Sequence, residues 1–531
     1  MNKLATILLT AVLLAFGANR LSAQTPTAPK TVIHVVTVKW KADVTPKQMK
    51  SYAKVFTIDP GRFDVLTAYA AVNTLRLDDQ NPHIFRTHDG GKTWTEIVNG
   101  IPGGAAVSAI REDVQRKGLL FAGSETNVYV SFDAGDHWES LRLNMAPSSV
   151  RDLQVKDDDL VAGTHGRGIW ILDDITPLRQ IDDKTAAADV LDILYRPQAS
   201  LRVRWNTNTD TPLPPDEPRM PNPPEGGIIN YYLKADATDP VVLEVFDAGG
   251  KLVRHYSSAD PIAPLPDPKT NAPLPLYWYR EPQGLSAKAG MHRFTWDVHY
   301  QPLPGGGGGR GGLPIAAVPF YTVPAPTTPW APPGPYTVKL TVNGKTLSQP
   351  LTVKPDPRVK TPALVMQQVY TLSTAAYREA AATSAAAAQA QHLRELLAEA
   401  QSGLKTLPAQ SAASAGDLAT ALTEFDKKVE AMAGTAGAGG GRGGRGGAAP
   451  DAAPGSAAPP TLSNAAAGLS GVMNVLQSAD VQPTAVQLKA IATARAAGTA
   501  ALAKWTALKT VDLASLNLKI KAAGLRAIEV K

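Results

Sequence analysis

The chain has 531 residues, with 44 Gly, 44 Pro, no Cys and only 19% charged side chains. Such a length accommodates roughly three to four domains. Absence of Cys excludes a disulfide framework, a thiolate metal site, an iron–sulfur cluster, a cysteine nucleophile and a lipoprotein anchor. A formal charge of +6 is too small over this length to imply nucleic-acid binding by itself.

Met1–Ala23 reads as a secretory leader. Lys3 supplies the positive start, Leu4–Phe16 is a run of apolar and small residues with two Thr, and Ala23 ends the segment before Gln24. The run is too short to span about 30 Å of hydrocarbon, so cleavage after Ala23 is expected rather than anchoring. Removing Lys3 and Arg20 leaves a charge of +4. No later stretch offers 18 apolar residues free of charge, so no integral membrane segment is expected in the mature chain, which is placed in the periplasm or outside the cell.

Residues 24–56 form a short α/β fragment. Val32–Trp40 has strand character, and Thr45-Pro46-Lys47-Gln48 reads as a helix start, with Thr45 as cap, Pro46 in the first position and Gln48 completing a capping box. Ile33-His34-Val35-Val36 followed by Val44-Thr45-Pro46 resembles the opening of the Dabb, or stress-responsive α/β barrel, family. That resemblance implies the start of a ferredoxin-like, usually dimeric fold, of which only this opening is visible.

Residues 57–180 carry an internal repeat. Thr87-His88-Asp89-Gly90-Gly91-Lys92-Thr93-Trp94 aligns without gaps on Ser131-Phe132-Asp133-Ala134-Gly135-Asp136-His137-Trp138, each matched pair 44 residues apart. A third, partial copy places Ala162-Gly163 ten residues before Asp173, as Ala122-Gly123 stands ten before Asp133. Short strands repeating at 40–50 residues are the signature of β-propeller blades. Asp at a hairpin tip accepts hydrogen bonds from its own turn, Gly supplies positive φ, and Trp plugs the space between strands. Asp89, Gly91, Trp94, Asp133, Gly135 and Trp138 are therefore read as structural, not catalytic.

These turns resemble the Asp-box, or BNR, repeats of sialidase-like and sortilin-type propellers. The stretch Thr67–Leu178, with Arg151-Asp152-Leu153, Ala162–Trp170 and Leu172-Asp173-Asp174, resembles the closing blades of secreted, glycosyl-hydrolase-like bacterial BNR proteins. Together with the later β-patterned and Ala-rich parts, the resemblance extends over residues 57–531. It implies a propeller of several blades, whereas 57–180 supplies at most three. The expectation is a partial propeller whose earlier blades are replaced by a different fragment, through a natural fusion or a gene-structure error.

Residues 190–358 read as a β-sandwich with Pro- and Gly-rich inserts. Phe294, Trp296, Val298 and Tyr300 alternate with polar residues, as do Tyr336, Val338, Leu340 and Val342, and Asn343-Gly344 supplies a tight hairpin to the return strand Leu347–Val353. An immunoglobulin- or fibronectin-like sandwich fits this pattern. From Thr361-Pro362 onward, residues 361–531 are Ala-rich and helical, with expected helices at Leu364–Gln401, Asp417–Met432, Leu462–Gln477, Thr484–Leu508 and Leu513–Ala523 and a glycine-rich linker at 434–460. A bundle or hairpin would bury Leu393, Leu397, Leu476 and Trp505.

The chemistry is sparse. Nine His residues form no His-Glu-x-x-His and no Cys/His cluster, so no metal or cofactor is assigned. His165-Gly166-Arg167-Gly168 is a candidate binding loop, with His165 and Arg167 flanked by glycines, although a tight inter-strand loop with an exposed His is the favoured reading. Asp78-Asp79 and Asp173-Asp174 are adjacent acids, not a pair facing across a cleft, and no Gly-x-Ser-x-Gly elbow or phosphate-binding loop is present. Catalytic residues stay unassigned. Gly439–Gly447, with Arg442 and Arg445, reads as a linker and not as a nucleic-acid-binding segment. The leading expectation is an exported binding or interaction module for a glycan or for a protein or peptide. A glycosidase-like hydrolase and a truncated or fused product without activity of its own are the alternatives, and oligomeric state is open.

Overall fold

A computed structural model describes residues 54–181, 191–204, 223–224, 226–262, 267, 282–302, 328–404, 412–434 and 461–530. The leader, most of the 24–56 fragment and almost all of the glycine-rich linker lie outside the described residues, as do parts of the sandwich inserts. Contacts divide the chain into two compact units, Met1–Leu191 and Asp192–Lys531.

The first unit holds three antiparallel sheets in sequence order. The first comprises β1 (Lys54–Pro60), β2 (Ala68–Asn73), β3 (Ile84–Thr87) and β4 (Thr95–Glu96). Lys54–Phe56, placed by sequence with the preceding fragment, thus open the first strand, where Lys54 pairs with Asn73. The second sheet comprises β5 (Val107–Glu112), β6 (Leu120–Ser124), β7 (Val128–Ser131) and β8 (Glu139–Ser140). The third has β9 (Val150–Lys156), β10 (Asp159–Thr164) and β11 (Ile169–Leu172).

Successive side chains on a strand point to opposite faces, and Val107–Glu112, Leu120–Ser124 and Val128–Ser131 are buried on both, so each joint buries one face of each neighbour. Between the first two sheets lie Tyr69, Ala71 and Ile84 against Ile110, Ala122, Tyr129 and Trp138. Between the second and third lie Ala109, Phe121, Val128 and Val130 against Leu153, Leu160 and Ala162. Gly123 is required here, because a Cβ on it would come within 2.6 Å of Val150 Cγ1 on the third sheet. Arg179, beyond the last strand, is 8% exposed and locks this joint. Its guanidinium grips the fully buried Asp113 at 2.9–3.1 Å, pairs with Asp158 and donates to the Asp157 carbonyl.

The second unit contains two further sheets, β12-β14-β17 and β13-β19-β18-β15-β16. The strands are β12 (Ile193–Leu194), β13 (Ser200–Arg202), β14 (Gly227–Leu233), β15 (Val242–Asp247), β16 (Leu252–Ser257), β17 (Gly290–Trp296), β18 (Gly334–Val342) and β19 (Lys345–Pro355). Ile229, Tyr231, Phe294 and Trp296 of one sheet and Leu243, Val245, Val338 and Leu340 of the other share a single core. Asn343 and Gly344, with φ of 46° and 76°, make the two-residue turn between β18 and β19. Two features depart from simple antiparallel alternation. The β13–β19 pair is parallel. The strand expected to run through Tyr300 stops at Trp296, because Val298 takes a φ of 57°, after which His299 bridges Trp330.

Helices follow in the same unit: α1 (Ala363–Leu404), α2 (Ala412–Ala433), α3 (Leu462–Leu476), α4 (Ala485–Ala507) and α5 (Leu513–Ala522). Thr461 caps α3, and Thr484 with Gln487 forms a reciprocal capping box on α4. α1 is long enough to serve two cores. Ala376 and Ala380 pack with Leu469, Met473 and Ile491, while Leu393 and Leu397 pack with Leu422, Phe425 and Trp505. Small Ala residues let the helices approach closely. Sheets and helices meet where Asp480 receives Arg202 at 2.6 Å and Arg204 at 3.0 Å, all three largely buried.

Candidate functional site

The edge strands β1, β5 and β9 of the first unit line an open groove of about 610 Å³. Its walls combine Arg62, Arg111 and Arg151 with Asp59, Glu112 and Asp152, and Phe56 and Ile58 add an apolar margin. Each cation has an acidic partner. Arg111 reaches Asp152 at 2.7 Å, Arg62 reaches Asp59 at 3.2 Å, and Arg151 reaches Glu125 at 3.2 Å. Asp152 is 64% exposed, so its pairing with Arg111 is open to exchange with a ligand.

Asp59 and Glu112 do different work. Asp59 accepts the Glu112 backbone N–H at 2.8 Å, and Glu112 accepts the N–H groups of Arg62 at 2.7 Å and Gly118 at 3.2 Å. These reciprocal bonds tie the first sheet to the second. Burial raises the Asp59 pKa, opposed by the Glu112 N–H and by Arg62 and Arg111. Both carboxylates are engaged by backbone donors, which suits a scaffold better than an acid/base pair.

The two repeated turns share one geometry. Thr87 Oγ1 donates to Asp89 and accepts the Gly91 N–H, as Ser131 Oγ donates to Asp133 and accepts the Gly135 N–H. Asp89 accepts the Thr93 N–H, and Asp133 the His137 N–H, each at 2.9 Å. These donors, the Thr93 N–H foremost, hold the Asp89 carboxyl well below its ordinary range. Trp138 is 3% exposed and donates Nε1–H to the Ile97 carbonyl of the first sheet's outgoing loop. Trp94 is half-buried and donates only to Gly91 of its own turn. Gly135 lies against Ile97, whose Cδ1 would stand 2.4 Å from an added Cβ. None of the six turn residues lines the groove.

His165 and Arg167 sit at the tip of the β10–β11 hairpin, both exposed. The His165 N–H donates to the Ser149 carbonyl, and the Arg167 carbonyl accepts Trp170 Nε1–H. Neither side chain reaches the groove lining. Among the described residues no group of three His, Asp or Glu side chains is placed to hold a metal ion. Likewise, no described helix is long and apolar enough to cross a membrane. The groove residues escaped the sequence reading because they lie on separate strands. The signal that could have found them was the alternation of polar Asp152, Gln154 and Lys156 with Leu153 and Val155 on an edge strand.

No family model matches the chain. A vacuolar protein sorting/targeting protein 10 of Pyrenophora teres f. teres (strain 0-1) is 31% identical over 86 residues, which cover 14% of this chain and 5% of that protein. The chain therefore spans a small fraction of that sortilin-like relative. Among solved structures, YCF48 bound to a D1 peptide is 13% identical, with 39% of this chain and 53% of that one covered and a TM-score of 0.18. An ancestral GH74 enzyme is 14% identical, with 38% and 26% covered and a TM-score of 0.16.

Proposed function

We propose that the three sheets of the first unit are consecutive blades of an Asp-box propeller, and that their groove binds an extended peptide segment of a partner protein. The supporting observation is the lining itself, in which the Arg62–Asp59 and Arg111–Asp152 pairs and Arg151 stand beside Phe56 and Ile58. An exchangeable Arg111–Asp152 pair, with Arg151 beside it, suits a chain bearing charged side chains and backbone amides. A glycan is favoured less, because Trp138 is buried and Phe56 is the aromatic residue in the lining. On the leader reading, the partner is met outside the cytoplasm.

The test is a peptide array and a glycan array probed with the full chain, alongside chromogenic glycosides. Arg111→Gln combined with Arg151→Gln should weaken peptide binding at least about tenfold, roughly 1.4 kcal/mol. Raising salt should weaken the unsubstituted chain as well, since Asp152 and Arg151 are exposed at 64% and 40%. Unchanged affinity in the double variant would overturn the groove assignment. Glycoside turnover by the full chain would replace a binding function with a hydrolytic one.

A further inference from the structure

The internal repeat places three generations of the same residue on three sheets, and only the middle generation is covered on both sides. On the outgoing face, Val128 and Val130 of β7 are 4% and 3% exposed beneath the third sheet. Their counterparts on β11, Ile169 and Ile171, pair with β10 in the same register and stand 70% and 56% exposed. On the incoming face, Ile110 and Leu153 are 0% and 1% exposed, whereas their counterpart Ile58 on β1 is 40% exposed. Trp138 and Trp94 repeat that contrast. The chain thus displays both halves of the joint it builds internally, one at each end of the same three-sheet array.

We propose that the outgoing face of one copy is covered by the incoming face of a second copy, head to tail, so that two chains close a ring of six sheets. The inference rests on the blade reading above. Its occupant follows from continuity with the joints already present. In both internal joints the residue matching Ile169 and the residue matching Ile58 share one core, Ile84 with Ile110 and Val128 with Leu153. A heterologous contact of this kind yields a closed ring only if the rotation per sheet divides the circle. Six sheets fall within the usual range of about 4–8 for such rings. Closure also completes the groove, which three edge strands wall on one side only, into a channel lined twice by Arg111 and Arg151. Bare β-branched residues at a sheet end otherwise invite unspecific association.

The test is the mass of the full chain in solution by light scattering, expected at twice the single-chain value. Ile169→Glu combined with Ile171→Glu should return the single-chain mass while circular dichroism stays unchanged, since both side chains are already solvated. Leu364→Glu, at an 81% exposed helical position, should leave the double mass intact. The chain has no Cys, which permits a direct check of direction. Mixed Ile58→Cys and Ile169→Cys chains should give an oxidised cross-link that neither gives alone. A single-chain mass for the unsubstituted protein, or a double mass indifferent to the two Glu substitutions, overturns the proposal. A single-chain protein that still binds peptide through Arg111 and Arg151 overturns closure and leaves the groove reading standing. A double-mass protein that binds no peptide does the reverse.

Discussion

The turns around Asp89 and Asp133 are locally alike and tertiarily different. Both fold on the same donors: a Thr or Ser hydroxyl, a glycine N–H and an N–H four residues past the Asp. Yet Trp138 is buried against Ile97 of the sheet before it, while Trp94 stays half-buried beside its own turn. Local hydrogen bonding therefore shapes the turn, and the neighbouring sheet decides what the Trp contributes. A repeated motif predicts its own loop well and its energetic weight poorly.

The largest test of that difference is truncation of the two rings. Trp138→Ala should cost about 3–5 kcal/mol, the usual range for a fully buried aromatic. In the single-chain Ile169→Glu/Ile171→Glu background, where no second copy covers the first sheet, Trp94→Ala should cost about 1–2 kcal/mol, since less apolar surface returns to water. Because the chain has two compact units, the reading is taken as hydrogen-exchange protection of the β5–β7 and β2–β3 amides, not as a global melt. Equal losses at the two positions would show that the incoming face of the first sheet is covered as fully as that of the second.

A smaller test exchanges the residues that differ at the tip. Ala134 holds a φ of 63° where its counterpart Gly90 holds 73°. Both N–H groups donate at similar distance, to Gly118 and Leu66 carbonyls respectively. An added Cβ on Gly90 would meet nothing nearer than Leu66 Cδ2 at 3.5 Å, so its cost is conformational alone. Gly90→Ala should destabilise the turn by about 0.5–1 kcal/mol, and Ala134→Gly should stabilise its own by a similar amount. Exchange rates of the Gly91 and Gly135 amides read both. A larger loss for Gly90→Ala would mean that Leu66 is less able to give way than its exposed position implies.

These contrasts also mark what sequence could carry. Helices were legible because caps and breakers are local: the span expected at Thr484–Leu508 is observed at Ala485–Ala507 with Thr484 capping it, and Leu364–Gln401 extends only to Ala363–Leu404. Asn343-Gly344 was legible as a turn for the same reason. The break at Val298 was not, since a positive φ at a β-branched residue runs against its intrinsic preference and is imposed by surroundings. Nor was the groove. Arg111 and Arg151 come from β5 and β9 and Arg62 from the bend after β1, and only the side-by-side order of those strands gathers them. His165 and Arg167 drew notice through their flanking glycines, but the hairpin holds them at its own tip. Arg179 carried no motif at all, although its grip on Asp113 closes the joint.

The smallest effect separates the turns by pH. Thr93 Oγ1 donates to Asp89 at 2.7 Å, and His137 Nδ1 takes the same place against Asp133 at 2.6 Å. Asp133 raises the His137 pKa above its ordinary value of 6.5, through the hydrogen bond first and charge second. A His with a raised folded pKa adds stability that is complete below the unfolded value and is lost as pH rises through the folded one. The second turn should therefore loosen as pH rises from about 6.5, while the first, latched by a hydroxyl that does not titrate there, should not. His83, held between Asp79 and Glu96 on the first sheet, also has a raised pKa, so a global melt would blend the two. Amide exchange at His137 and Trp138, followed across that window, isolates the second turn. His137→Thr should flatten its pH dependence to that of the first. A slope that survives the substitution would place the titrating group outside the turn and break the equivalence of the two latches.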